Sequence, residues 1–272
     1  MHYPGVLLFC LLSAAVPAAE RIISLSPGAT ELLYAAGLGD KLIAASDYSD
    51  YPPEAKALER VSSYSNINIE RIIALDPDLL VAWRSGGQGK AIQKLQDLGF
   101  HIYYADANTL NDIASRIEDL SRFAANPATG KSNAAAFRQR LAQLQKQYKN
   151  NKTISYFYQL GGHPIYTVTE GHWPSEVFSV CGGKNIFPDG IIAYPQVSTE
   201  QVIVRQPETI FVSARSDSID TMWQQWETLL PAVQKGHVKM VNPDWVNRPT
   251  PRSLNAVEEI CHYFAQLSSD TE

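Results

Sequence analysis

Beyond its first 19 residues, the chain has no apolar run approaching the roughly 20 residues that span a bilayer. It also lacks the usual catalytic signatures. There is no HExxH and no Cys/His spacing suited to zinc, and His101, His163, His172, His237 and His262 are scattered. The loop after the first apolar segment lacks the GxGxxG of dinucleotide binders. The stretch "SGGQGKA" (85–91) only mimics a phosphate loop. Arg84 stands where the first glycine is needed, and Ala91 where Ser or Thr must hold magnesium. No GxSxG elbow and no recognisable carboxylate pair for acid–base work is present. Charge is sparse at 19%, and 23 Lys and Arg against 28 Asp and Glu give a formal net charge of −5. That balance argues against nucleic acid, which wants a basic surface. Cysteine is limited to Cys10, Cys181 and Cys261.

The first 19 residues are a different kind of sequence. "YPGVLLFCLLSAAVPAA" is apolar and ends in small residues, so it reads as a secretory signal peptide cleaved near Ala18 or Ala19. Its basic region is weak, with only His2 and the amino terminus, and an uncleaved anchor or a buried strand is the alternative. Cys10 follows no lipobox and leaves with the leader. In an oxidising compartment Cys181 and Cys261 form one disulfide most simply, with two buried free thiols as the alternative. The bridge would close a loop of roughly 80 residues, worth about 4 kcal/mol in the chain-entropy model.

The remaining chain is 45% hydrophobic over the whole sequence, enough for a substantial core. Strand-like and helix-like segments alternate: "RIISLS", "SPGATELLYAAG", "KLIAASDY", "IERIIAL", "LLVAW", "KAIQKLQDLG", "FHIYYA", "TLNDIASRIEDLSRFA". Such alternation predicts a parallel sheet covered on both faces. The middle differs. "KSNAAAFRQRLAQLQKQYKN" (131–150) has no Gly or Pro, and Ala134, Phe137, Leu141, Leu144 and Tyr148 share one helical face. It predicts a long surface helix acting as a stiff strut. The alternation then restarts with "TISYFYQL" and ends in a helix, "SLNAVEEICHYFAQL". The expected divisions are a leader at 1–19, a lobe at 20–127, an inter-lobe helix at 128–150 and a second lobe at 151–272.

One phrase occurs twice. "IERIIALDPDLLVAW" and "TEQVIVRQPETIFVS" each set a glutamate, Glu70 or Glu200, seven residues ahead of a proline, Pro77 or Pro207. Each reads as a short helix, a proline-centred turn and a strand, one per lobe, with the glutamate where the helix dipole favours it. Aromatics gather in the loops that follow strands: Tyr48, Tyr51, Tyr64, Trp83, Trp173, Tyr194 and Trp245. Open α/β sheets bind ligands at those strand ends. A Tyr- and Trp-lined cleft between two lobes suits a large, flat ligand with polar edges.

The phrases "RIISLSPGATELLYAAG", "SDYSDYPP", "NIERIIALDPDLLVAWR", "VCGGKNIF", "YPQVSTEQV", "PDWVNRPTPR" and "EICHYF" together resemble the periplasmic cobalamin-binding proteins of bacterial cobalamin ABC importers. The resemblance covers essentially the whole chain after the leader. "SPxxTE" alone marks a wider class that also carries haem and ferric siderophores. The resemblance implies an α/β fold of two Rossmann-like lobes joined by one long α-helix, a class III periplasmic binding protein of the helical-backbone metal receptor type. It implies a monomeric, non-enzymatic carrier without cofactor. The carrier would capture cobalamin, a cobalt corrinoid, and pass it to an inner-membrane ABC permease with its ATPase subunits. Ligand contacts are implied at Tyr48, Trp83, Gly161, Asp244, Trp245 and Arg248, with Arg252 in the same loop. Tyr64 and Tyr194 stand where the family has tryptophan, and Leu160 where it has phenylalanine. This smaller aromatic area makes cobinamide a candidate cargo beside cobalamin, haem and ferric siderophores. The resemblance further implies a Cys181–Cys261 disulfide, and permease docking through Glu70 and Glu200.

Overall fold

The computed structural model describes residues 18–84, 87–149, 152–162, 164–213 and 220–269. Most of the leader with Cys10, the Ser85–Gly86 pair, Asn150 and His163 lie outside the described residues. The first lobe runs β1 (Ile22–Ser24), α1 (Pro27–Ala35), β2 (Leu42–Ser46), β3 (Glu59–Ser62), α2 (Ile69–Leu75), β4 (Leu79–Ala82), α3 (Gly89–Asp97), β5 (Ile102–Tyr104) and α4 (Leu110–Ser121). Its five strands are parallel in the order β3-β2-β1-β4-β5. A 20-residue helix, α5 (Ala128–Gln147), leads out of it.

The second lobe runs β6 (Ile154–Gln159), β7 (Ile165–Tyr166), α6 (Ser175–Ser179), β8 (Gly183–Asn185), β9 (Gln196–Val197), α7 (Thr199–Arg205), β10 (Thr209–Ser213), α8 (Asp220–Gln224), α9 (Pro231–Gln234), β11 (Val238–Val241), α10 (Pro243–Val246) and α11 (Ser253–Ser269). Four of these strands form a second parallel sheet, β11-β10-β6-β8. Cys181 and Cys261 are joined by a disulfide that ties the end of α6 to the middle of α11.

The alternation of side chains along the strands distributes them between cores. Ile22, Leu79 and Val81 face one cluster with α1, α4 and α5, while Ile23, Leu80 and Ala82 face α2 and α3 on the other side. In the second lobe Tyr156, Tyr158 and Phe211 join the first of those clusters, and Phe157, Ile210 and Val212 pack around Trp223. The inner faces of both sheets thus belong to one apolar core. The stripe Ala134, Phe137, Leu141, Leu144 and Tyr148 of α5 is buried in it.

The duplicated phrase is a structural repeat. Helices α2 and α7 each span seven residues and end in a left-handed residue, Asp76 (φ 47°) and Gln206 (φ 49°). The carboxylate after each proline ties down the first strand of its own sheet. Asp78 accepts from Glu20 N at 2.7 Å and Arg21 N at 3.2 Å, and Glu208 accepts from Ser155 N at 2.7 Å. Glu70 and Glu200 are exposed in the first turn of each helix.

Three expectations need correction. β3 was not foreseen: it is an edge strand, "ERVS", whose charged outer residues mask the pattern. β7 and β9 form a short antiparallel pair rather than part of an alternating series. The strut, expected over 128–150, spans 128–147, with Asn150 outside the described residues, and it includes Gly130. A Cβ there would lie 2.4 Å from Ser121 Cβ and 2.9 Å from Ala36 O, so the glycine permits close approach of α5 to α4 and the end of α1.

Truncating the shared stripe tests its weight. Leu141→Ala should lower the unfolding free energy by about 2–5 kcal/mol, read by urea denaturation. Gln143→Ala on the exposed face should stay within about 0.5 kcal/mol of wild type.

Candidate functional site

Between the lobes lies a cleft of about 710 Å³. Its walls come from the residues that follow the carboxyl ends of the strands. Leu25, Ser26 and Pro27 follow β1, Asp47 and Tyr48 follow β2, Ser63 and Tyr64 follow β3, and Trp83 follows β4. The facing lobe supplies Leu160 and Gly161 after β6, Tyr166 from β7 and Tyr194 before β9. In the first sheet, chain order reverses beside β1, which is where an open α/β sheet leaves a crevice. A second arm of about 470 Å³ shares Tyr64, Trp83, Leu160 and Tyr194 with the first and adds Asp106, Asn108, Trp173 and Asn247.

Polar bonds behind the wall hold it in place. Tyr48 adopts a left-handed backbone (φ 60°), unusual for a bulky residue and found where surrounding structure enforces it. Beneath its turn runs a chain of hydroxyls. Ser24 Oγ lies 2.6 Å from Thr30 Oγ1, Thr30 donates to Ser49 Oγ at 2.9 Å, and Ser49 meets Ser46 Oγ at 3.0 Å. Arg60 donates to Ser49 O at 2.9 Å. On the other lobe, Leu160 N donates to Tyr166 O at 2.8 Å, and Gln159 joins Gly161 O to the Trp223 indole. Thr167 N and Thr169 N donate to Pro195 O and Ala193 O and so fix the turn that presents Tyr194. The buried Trp173 indole N–H has no hydrogen-bond partner among the described residues, and Trp173 lines the second arm.

Tyr48, Tyr64, Trp83, Leu160, Gly161 and Tyr194 therefore meet in one cleft. Asp244, Trp245 and Arg248 do not line it among the described residues. Trp245 packs half-buried against the shared core. Arg248 pairs with Asp244 at 2.9 Å and reaches the other lobe at Asp50, 3.2 Å, and Glu31, 3.5 Å. Arg84 lies over the Tyr104 ring at 4.2 Å, and Tyr51 is covered by Arg252 at the same distance. Tyr166, Gln88, Asp106, Asn108 and Asn247 are lining residues that the sequence did not single out. Only Tyr166 carried a signal, as one more aromatic after a strand. Among the described residues no group of His, Cys, Asp and Glu is placed to hold a metal ion, and no helix is long and apolar enough to cross a membrane.

The model of the periplasmic binding protein family matches residues 22–244. The chain belongs to the periplasmic binding protein family. A vitamin B12-binding protein of Vibrio cholerae is 55% identical over 254 residues, covering 93% of this chain and 92% of the relative. The crystal structure of a periplasmic vitamin B12-binding protein, BtuF of Vibrio cholerae, superposes with a TM-score of 0.87 at 55% identity, covering 91% of this chain and 98% of that one. A periplasmic haem-binding protein, RhuT from Roseiflexus sp. RS-1, superposes with a TM-score of 0.80 at 20% identity, over 92% and 100% of the two chains. At that identity the likeness is one of fold. Membership makes the chain the substrate-binding component of an ABC importer rather than an enzyme.

One tie beside the second arm is ionisable. The Glu176 carboxylate of α6 accepts from Leu110 N, the first residue of α4 in the other lobe. Burial pushes its carboxyl above the usual glutamate range; the Leu110 N–H partly offsets this, and the Asp112 charge adds to it. The folded protein therefore binds this proton more tightly than the unfolded chain does. Its contribution is fully present at low pH and is lost as pH rises through the raised value. Unfolding free energy measured from the usual glutamate range upward should carry that falling slope. Glu176→Gln, which keeps an oxygen acceptor for Leu110 N, should flatten it.

Proposed function

We propose that the chain is a periplasmic carrier that captures cobalamin in its inter-lobe cleft and delivers it to an inner-membrane ABC permease and its ATPase subunits. The observation that carries this reading is the pairing of a 710 Å³ cleft walled by Tyr48, Tyr64, Trp83, Tyr166 and Tyr194 with 55% identity to a vitamin B12-binding protein. Aromatic faces offer apolar area to a corrin, and their hydroxyl and indole edges serve its polar rim. Leu160 adds apolar surface, and Gly161 lets the backbone come near. Asp244, Trp245 and Arg248, expected at the cargo's polar edge, stand outside the cleft walls; they share one segment with Asn247 of the second arm, and we assign them to holding that segment in place. Cobalt needs no protein ligand in this scheme, because shape and burial hold the corrin.

Glu70 and Glu200 are the proposed docking points, one per lobe. The Ser198 hydroxyl and the backbone N–H of Glu200 hold the Glu200 carboxyl below its usual range, so it stays charged for a cationic partner. Exposed charges of this kind orient docking more than they tighten it. The working form is a monomer without its leader. Ala19 is buried and donates to Phe123 O at 2.8 Å, so cleavage between Ala18 and Ala19 would preserve that contact.

Calorimetric titration with cyanocobalamin, cobinamide, haemin and a ferric siderophore tests the cargo. The expected result is one-to-one cyanocobalamin binding, weakened by about 30-fold or more in Trp83→Ala. Haemin or siderophore binding in place of cyanocobalamin would keep the carrier and change its cargo. For docking, the double variant Glu70→Ala/Glu200→Ala should bind cyanocobalamin as wild type does but fail to stimulate the ATPase of the reconstituted importer. Undiminished stimulation would remove both residues from the interface.

A further inference from the structure

The cleft leaves one part of the "SPGATE" segment unexplained. Its glutamate, Glu31, is charged yet has only 2% of its side chain exposed, and it does not line the cleft. It faces the other lobe. Arg252 grips it with a two-pronged bond, Nε to Oε2 at 2.8 Å and an Nη to Oε1 at 2.6 Å. Arg248 approaches the same carboxylate at 3.5 Å while also pairing with Asp50 of the first lobe and Asp244 of its own. The two guanidinium side chains are 12% and 15% exposed. The first lobe thus provides two carboxylates, and the second provides two guanidiniums and a third carboxylate.

The surroundings are built to hold this cluster. Tyr51 of the first lobe lies against the Arg252 guanidinium, 4.2 Å from its ring centre. Thr250, between the two arginines, is fully buried, and its methyl lies 3.8 Å from where a Cβ on Gly28 would stand. The 248–253 turn is closed by Ser253, whose hydroxyl donates to Arg248 O at 2.9 Å and accepts from Thr250 N at 3.2 Å. Asp50 sits two residues beyond the strained Tyr48. Burial raises the Asp50 carboxyl, but the hydrogen bond and charge of Arg248 outweigh it, leaving Asp50 below the usual carboxylate range.

We propose that Glu31 is a positioning residue that clamps the lobes through Arg252 and Arg248 and so sets the width of the cleft. Buried ion pairs contribute little net stability over well-packed apolar groups, whereas a forked Arg–carboxylate contact fixes geometry closely. The arrangement is therefore a device for registry rather than for stability. The clamp stands on the structure alone; only the nature of what enters the gap rests on the cobalamin reading.

The test places nitroxide labels at Ile73→Cys on α2 and Val204→Cys on α7, both exposed and one per lobe. Pulsed dipolar spectroscopy of the unliganded protein then reads the inter-lobe distance. The labelled parent should give one narrow distribution. Glu31→Gln should broaden it while circular dichroism stays that of a folded protein, and Arg252→Lys, which keeps the charge but loses the fork, should do likewise. Cyanocobalamin affinity should fall about tenfold in Glu31→Gln, with Glu31→Gln/Arg252→Gln adding little beyond either single change, as expected for one coupled unit. Should Glu31→Gln fail to fold, Asp50→Asn at the exposed edge of the cluster must still broaden the distribution. Folded variants that keep the parent distance distribution would overturn the clamp. If the parent fails to bind cyanocobalamin, the cargo reading falls, while the distance measurement still decides the clamp.

Discussion

Everything else in the molecule depends on a single apolar core shared between the two lobes. The inner faces of both sheets, the α5 stripe and α11 meet in it, so no boundary of water separates one lobe's interior from the other's. Burying the five stripe residues of α5 contributes on the order of 10 kcal/mol, at roughly 1.5–3 kcal/mol per large side chain and less for alanine. A wide rotation of one lobe would expose much of that surface. A flexible two-strand hinge between domains has no comparable penalty. The cleft is therefore largely fixed by packing at its base.

The repeated phrase shows how the same solution is reached twice. In each lobe a seven-residue helix ends in a left-handed turn, a proline prevents its continuation, and the next carboxylate accepts N–H groups at the start of the lobe's first strand. Asp78 and Glu208 do this work with side chains of different length. The constraint selects a carboxylate at that position, not a particular residue. Glu70 and Glu200 lie at the opposite end of the same short helices, facing solvent. Burial and packing do not explain them; the helix dipole favours a carboxylate there, and the proposed docking role is what would use its charge.

The legible parts of the sequence were those governed by local physics. Ser26 before Pro27 marked the start of α1, Gly37 and Gly99 marked chain reversals, and the three-and-four spacing around Phe137 marked the strut. β3 escaped because an edge strand needs only half its residues to be apolar. Gly130 lies inside α5 although a glycine normally argues against a helix; its reason lies in Ser121 and Ala36, distant in sequence. The site divides in the same way. Tyr48, Tyr64 and Trp83 could be found because each follows a strand, and Tyr194 because it sits in a turn-rich loop. Arg248 could not be placed, because its position depends on Asp50 and Glu31 across the lobe boundary, and no spacing in the sequence records that pairing.

A cleft fixed at its base by packing and across its back by charge should select cargo by size. When binding closes a soft hinge, a smaller ligand is still gripped, because the lobes approach until they touch it. When the gap is set beforehand, a ligand that fills it gains its full contact area with little ordering cost, and a thinner one leaves a wall unsatisfied. The hydroxyl chain beneath the Tyr48 turn and the backbone bonds around Tyr194 extend the same logic to the loops that carry the aromatic walls, since they fix the backbone from which each ring projects. Under the proposed function, Tyr64, Leu160 and Tyr194 then help to set the width of the gap that a cargo has to fill.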